Sequence, residues 1–229
     1  MRVLCAQKGE HLRASDDPAT VGARWGCLVI DRASRFVVAA ASGPEEEGLV
    51  VRAVRQTYQR SAGRPLAWCS AGWHPYPAVI HLVYRQPVRT GRRGRPALRP
   101  PAGGRLTQRS KQRDVHGRLL HSETRATVGD PVPHPALVYV ERRHGVCRDR
   151  VTACTRKTHA FAQSPHTWDA LLALHRFEQH WLCSHPALRV AGAVAGRRFT
   201  PRTPAMALGL ADHCWTWREF LTTPVPISS

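Results

Sequence analysis

The sequence predicts an α/β fold, a mixed sheet flanked by helices. Three observations predict it. Short apolar runs of strand type occur at Cys27–Asp31, Phe36–Ala41 and Pro65–Cys69. Among and after them, apolar residues recur at helical spacing over 45–58, 73–84, 140–154 and 168–182. A basic Pro/Gly/Arg-rich insertion then breaks the alternation, and a short helical tail closes the chain. The 229 residues can bury one ordinary core, or a core plus a small appendage. The expected organisation is an irregular segment over 1–24, a principal domain over 25–185 with a basic insert at 86–135, and a loop with a helical tail over 186–229.

Taken in order, residues 1–24 are polar, and Asp16-Asp17-Pro18 reads as a turn. Cys27–Asp31 and Phe36–Ala41 flank the turn Arg32–Arg35, so Asp31 ends a strand beside a hairpin. An acid in that place is usually a turn former. Gly43-Pro44 breaks the chain, and Glu45–Glu47 open a helix where its dipole favours acids. Val50, Val54 and Tyr58 form the stripe of that helix. Pro65–Cys69 is the third strand; Tyr76, Ile80 and Tyr84 mark the next helix.

Residues 88–105 carry Arg89, Arg92, Arg93, Arg95, Arg99 and Arg105 among prolines and glycines. Such a stretch reads as a solvated loop and as an arm that lies on phosphates. Residues 106–114 and 117–128 pair as a polar hairpin, expected at a sheet edge with little buried face. Val140, Cys147, Val151 and Cys154 form one helical stripe. Trp168, Leu171, Leu172, Leu174, Phe177 and Trp181 predict a helix with a broad buried face. In the tail, Thr203 and Asp212 read as N-caps, and Trp215, Trp217 and Phe220 as a clasp onto the body.

The formal charge is +18, which points to polyanions and first to nucleic acid. Arginine supplies almost all of it, since Lys8, Lys111 and Lys157 are the only lysines. The seven cysteines contain no C-x-x-C pair and read as reduced thiols of a cytosolic protein. His144, Cys147 and Cys154 fit no zinc spacing. No apolar run reaches the roughly 18 residues of a membrane span, so no membrane partner is expected.

Glu141 opens its helix among Arg142, Arg143, Arg148, Arg150, Arg156 and Lys157. One reading is a surface helix with a solvated charged face. The other is a carboxylate that binds a divalent metal, on a helix whose cations meet a polyanion. The motif Glu141-Arg-Arg-His144, with Arg148-Asp-Arg-Val151 and Arg156-Lys-Thr-His-Ala-Phe-Ala162, resembles the third-acid helix of bacterial DDE transposases of the insertion-sequence-one type. The run Arg202–Leu221 is similar to the end of the same family, and the resemblance spans roughly Trp25 to Leu221.

The resemblance implies an RNase H-like sheet and DNA strand cleavage and transfer by two-metal chemistry. In that chemistry three carboxylates hold two Mg²⁺ or Mn²⁺ ions about 4 Å apart. Asp31 and Glu141 would be catalytic and metal-binding. The second catalytic aspartate falls at Ala71, and no Asp or Glu lies between Gly48 and Arg113 to replace it. A distant acid such as Asp114 or Glu123 could fold into the site, though the sequence gives no reason to expect it. Activity is therefore expected to be impaired, with a non-catalytic, basic, nucleic-acid-binding remnant as the alternative. DNA contacts are expected from Arg92, Arg93, Arg95, Arg99, Arg148, Arg156 and Lys157. The family's N-terminal zinc-binding and helix-turn-helix segments have no counterpart here, so the chain reads as N-terminally truncated. Expected partners are DNA, a homo-oligomer and a separate end-recognition protein, on the nucleoid in a bacterial cytoplasm.

Overall fold

The computed structural model describes residues 2–5, 14, 15, 17, 21–89, 91, 95–155, 160, 162–192 and 198–224. The fold is mixed α/β, with a mixed sheet flanked by helices. Strand β1 (Arg2–Cys5) pairs antiparallel with the start of β2 (Gly22–Ile30), which pairs antiparallel with β3 (Val37–Gly43). The chain thus enters regular structure earlier than the irregular 1–24 segment expected. A bulge between Val29 and Ile30 ends the β2–β3 ladder just before Asp31. Bulges bend a strand and re-aim the side chains beside them.

Helix α1 (Glu46–Arg60) packs on β2 and β3. Glu46 and Glu47 sit in its first turn, and Leu49, Val50, Ala53 and Val54 form its buried stripe. Strand β4 (Ala67–Ala71) leads to α2 (Tyr76–Tyr84), whose Val79, Ile80 and Tyr84 pack against α1. A short ribbon comes next, β5 (Gln86–Val88) paired with β6 (Ala97–Arg99), within a stretch that reads from sequence as a loop.

Strands β7 (Arg105–Arg113) and β8 (Leu119–Val128) form the expected hairpin, but β7 is no edge. It is the middle strand of the mixed sheet, parallel to β4 and antiparallel to β8. Leu106 is fully buried beneath α1 and α2, and Thr107 and Gln108 are buried after it. From Arg109 onward both strands run mostly exposed. Residues 105–128 therefore belong in part to the core rather than wholly to an insert.

Helix α3 (Val138–Arg150) carries Glu141 in its first turn. It stops before its stripe does: Val151 is extended, and a 3-10 turn, Thr152–Cys154, continues the chain. Cys147, Val151, Ala153 and Cys154 still share a second small core with Trp168. Helix α4 (Pro165–Phe177) begins at Ser164, whose hydroxyl accepts the Thr167 N–H, and ends in a π turn, Glu178–Leu182. Its buried face is narrower than expected. Trp168 and His175 are buried, while Leu171 and Leu174 are exposed.

Strands β9 (Val190–Ala191) and β10 (Phe199–Thr200) pair antiparallel before the tail. Helices α5 (Pro204–Ala207) and α6 (Trp217–Thr222) make up that tail. Thr203 caps α5 as expected, but Thr216 rather than Asp212 caps α6, in a reciprocal box with Glu219. The Asp212 carboxylate pairs with His213 instead, at 2.6 Å. The aromatic clasp is present: Phe220 lies 3.9 Å from Phe177 and Trp215 lies 5.0 Å from Trp181, ring centre to ring centre. Among the described residues no helix is long and apolar enough to cross a membrane.

Candidate functional site

Asp31, Ala71 and Glu141 border one cleft of about 1400 Å³. Each arrives there for a local reason. Asp31 comes directly after β2, and its backbone closes the hairpin: its N–H donates to Phe36 O at 2.8 Å, and its C=O accepts from Arg35 N at 2.9 Å. Arg35 takes a left-handed φ of 61° to complete this turn. The Asp31 Oδ2 accepts the Ser34 N–H at 2.8 Å and the Ser34 hydroxyl at 2.5 Å. The carboxylate thus serves as a turn former as well as a cleft residue.

The hairpin tip is clamped to the start of α3. Arg32 Nη1 donates to Pro133 O and His134 O, both at 3.1 Å. Arg35 lies over the Tyr139 ring, 3.6 Å from its centre. Arg143 Nη2 reaches back to Arg35 O at 3.2 Å, and its Nη1 holds Gln179 Oε1 at 3.0 Å. These contacts bring residues 31 and 141 to one cleft across more than a hundred intervening positions.

Ala71 ends β4 and is exposed. Its carbonyl accepts Gln108 Nε2 at 3.1 Å, and the same amide donates to Trp73 O at 3.0 Å. The next residue must be glycine, because a Cβ on Gly72 would stand 2.8 Å from the Ser110 Cα and 2.7 Å from its Cβ. The strand end therefore lies tight against β7, and residue 71 offers the cleft a methyl group rather than a carboxylate.

Glu141 is held by Lys111 of β7, whose Nζ lies 3.2 Å from Oε1. His144, one turn further along α3, also borders the cleft. Burial, reinforced by Arg148, depresses its pKa to about 4.

The arrangement does not suit a pair of hard cations. Mg²⁺ and Mn²⁺ need several oxygen ligands, preferably charged. Here the cleft offers two acids from the expected set, one engaged by Ser34 and the other by an ammonium group. Neither Asp114 nor Glu123 compensates. The Asp114 Oδ1 accepts the His116 and Arg118 N–H groups at the hairpin turn, and Glu123 lies opposite Ser110 on the exposed ribbon. Among the described residues no group of three or more His, Cys, Asp or Glu is placed to hold a metal.

Of the cations expected to meet DNA, Arg95 and Arg99 are exposed, Arg99 on β6. Arg148 is half-buried in the last turn of α3. Arg92, Arg93, Arg156 and Lys157 lie outside the described residues.

Sequence reasoning missed a more regular array. Arg109, Lys111 and Arg113 alternate along the exposed half of β7. Side chains two apart on a strand share a face, which pairs Arg109 with Lys111; a register shift between Gln112 and Arg113 sets Arg113 off from them at the ribbon's end. Arg109 Nε donates to Ser122 Oγ of β8 at 2.9 Å, and Arg113 Nη1 donates to Gly117 O at 2.6 Å, so the ribbon orders them. Arg118 and Arg125 lie on the turn and on β8. The period-two spacing of the cations was the available signal.

No protein-family model matches the chain. No curated protein and no solved structure matches it either.

Proposed function

We propose that this chain is a basic DNA-binding domain of transposase ancestry whose two-metal cleavage chemistry is lost. The observation that carries the reading is the ribbon β7–β8, with Arg109, Lys111 and Arg113 alternating along its exposed half. A two-stranded ribbon fits the major groove of duplex DNA, and cations along it neutralise phosphates and release counterions. Arg95 and Arg99, the latter on β6, are further exposed cations.

The ancestry, and with it an RNase H-like origin of the fold, is supported by the placement of residues 31, 71 and 141 around one cleft. The loss of cleavage is supported by the donor set: a turn-forming aspartate, a methyl group and a glutamate paired with lysine. An impaired transposase remains the second reading, favoured by that same convergence on one cleft.

The test is incubation of end-labelled duplex DNA with the full chain in Mg²⁺ or Mn²⁺. The proposal expects retardation on a native gel and intact strands on a denaturing gel. Metal-dependent nicks would favour the second reading, and absence of retardation at low salt would overturn both.

A further inference from the structure

A second cavity, of about 240 Å³, lies between the β2–β3 hairpin and helices α1, α3 and α4. Three guanidinium groups border it: Arg52 of α1, Arg143 of α3 and Arg176 of α4. His144 and His175 border it as well. The histidine Nε2 atoms and the Arg176 Nε are buried and have no hydrogen-bond partner among the described residues. His175 is only 7% exposed, so its Nε2 is an unpartnered polar atom deep in the wall. Unpaired buried nitrogen atoms are costly, and their concentration on one cavity implies that something satisfies them.

The sign of the ligand is set by the lining. One carboxylate, Asp169, stands at the exposed rim and is held by the Ser42 hydroxyl. Glu178 is turned toward the other ring nitrogen of His175, at 3.6 Å. The cavity itself therefore presents cations and imidazoles, which suit an anion. Leu28, Ala40 and Leu172 supply the apolar part of the lining. The space falls below the roughly 300–1,000 Å³ of drug-sized sites, and it admits no nucleic-acid strand.

From this geometry we infer that the cavity between β2–β3 and helices α1, α3 and α4 binds the phosphoryl group of a small molecule, with Arg176, Arg143 and His175 as its contacts. The group is that of free phosphate or of a small phosphomonoester. Guanidinium groups bind such oxyanions through charge-assisted hydrogen bonds. A carbon body on the ester would lie against Leu28 and Leu172. The buried Nε2 of His175 donates to the oxyanion when the ring proton sits on that nitrogen, so His175 is the contact that completes the cradle on binding. The inference does not depend on the DNA-binding reading, since none of these residues lies on the ribbon.

The experiment is calorimetric titration of the full chain with inorganic phosphate and, separately, glycerol 3-phosphate, in 0.2 M KCl to screen the surface. One site per chain is expected. Tighter binding of glycerol 3-phosphate would name the ester as the source, and equal binding would name free phosphate; either supports the site. Arg176→Gln is expected to weaken binding by at least about tenfold, the scale of one lost charge-assisted bond. Ala40→Leu fills the cavity without touching a charge, and it decides the matter if Arg176→Gln does not fold. Arg109→Gln with Arg113→Gln, on the ribbon, is expected to leave phosphate binding unchanged. No heat at millimolar phosphate would overturn the inference. So would binding that survives Ala40→Leu, or that is lost with the two ribbon arginines.

Discussion

The Lys111 ammonium lies 3.2 Å from the Glu141 carboxylate, linking the exposed ribbon to the first turn of α3. Both side chains are largely exposed, so the pair stabilises the fold by less than about 1 kcal/mol. Its significance is positional. A lysine occupies the charge that a divalent cation would need, while residue 71 contributes no charge at all.

That placement yields a first prediction. Ala71→Asp combined with Lys111→Met returns a carboxylate to the cleft and frees Glu141. The double variant is expected to bind Mn²⁺ at least about tenfold more tightly than the unaltered chain, the scale of one added anionic ligand. Calorimetry with MnCl₂ measures this, and equal affinities would contradict the shared cleft.

A second prediction concerns pH. His180 is buried, and its Nε2 accepts the Val37 N–H at 3.0 Å, so the neutral ring is the form that fits. Burial, then Arg143 and Arg176, push its pKa down to about 3. Protonation favours the unfolded chain, where the ring titrates near 6.5. Stability is therefore full above about pH 6.5 and falls as the pH drops toward 3, by about 2 kcal/mol at pH 5 from this ring alone. His144, depressed to about 4, adds in the same direction. His180→Gln keeps an acceptor for Val37 without a titrating ring. Its unfolding free energy, from urea melts between pH 7 and pH 5, is expected to fall less steeply than that of the unaltered chain.

A third prediction concerns the second core. Trp168 is completely buried and packs with Cys147, Val151 and Cys154. Trp168→Ala is expected to cost about 3–5 kcal/mol, because the lost contacts leave a cavity. Urea denaturation measures it. A loss under about 1 kcal/mol would mean that this core is not what holds α3 to α4.

Much of the architecture was legible because local pattern and burial agree. The stripe Val50, Val54 on α1 is buried as its periodicity marks, the apolar run before Asp31 is half-buried in β2, and the aromatic tail makes its ring contacts without full burial. The failures have particular causes. Strand β7 reads as a polar edge because only its first few residues are buried, and its parallel partner β4 lies far back in the chain. On α4, polarity misleads: His175 is buried where Leu171 and Leu174 are exposed. The cap of α6 is written in the sequence as Thr216-Trp-Arg-Glu219, the spacing of a reciprocal capping box, but Asp212 is also a residue type that caps helices and stands a few residues earlier. That Asp31 and Glu141 share one cleft was expected only through the family resemblance. Their engagement by Ser34 and Lys111 depends on side-chain placement that no local pattern encodes.

The ribbon's role is tested most directly by the salt dependence of binding to a labelled duplex, measured by fluorescence anisotropy. The account predicts a steep linear fall of log K with log salt for the unaltered chain. Arg109→Gln, Lys111→Gln and Arg113→Gln together should reduce the slope by about 2 to 3, close to one phosphate each, with similar weakening on unrelated DNA sequences. A slope unchanged by the triple variant would contradict the account, since the phosphates would then be met elsewhere.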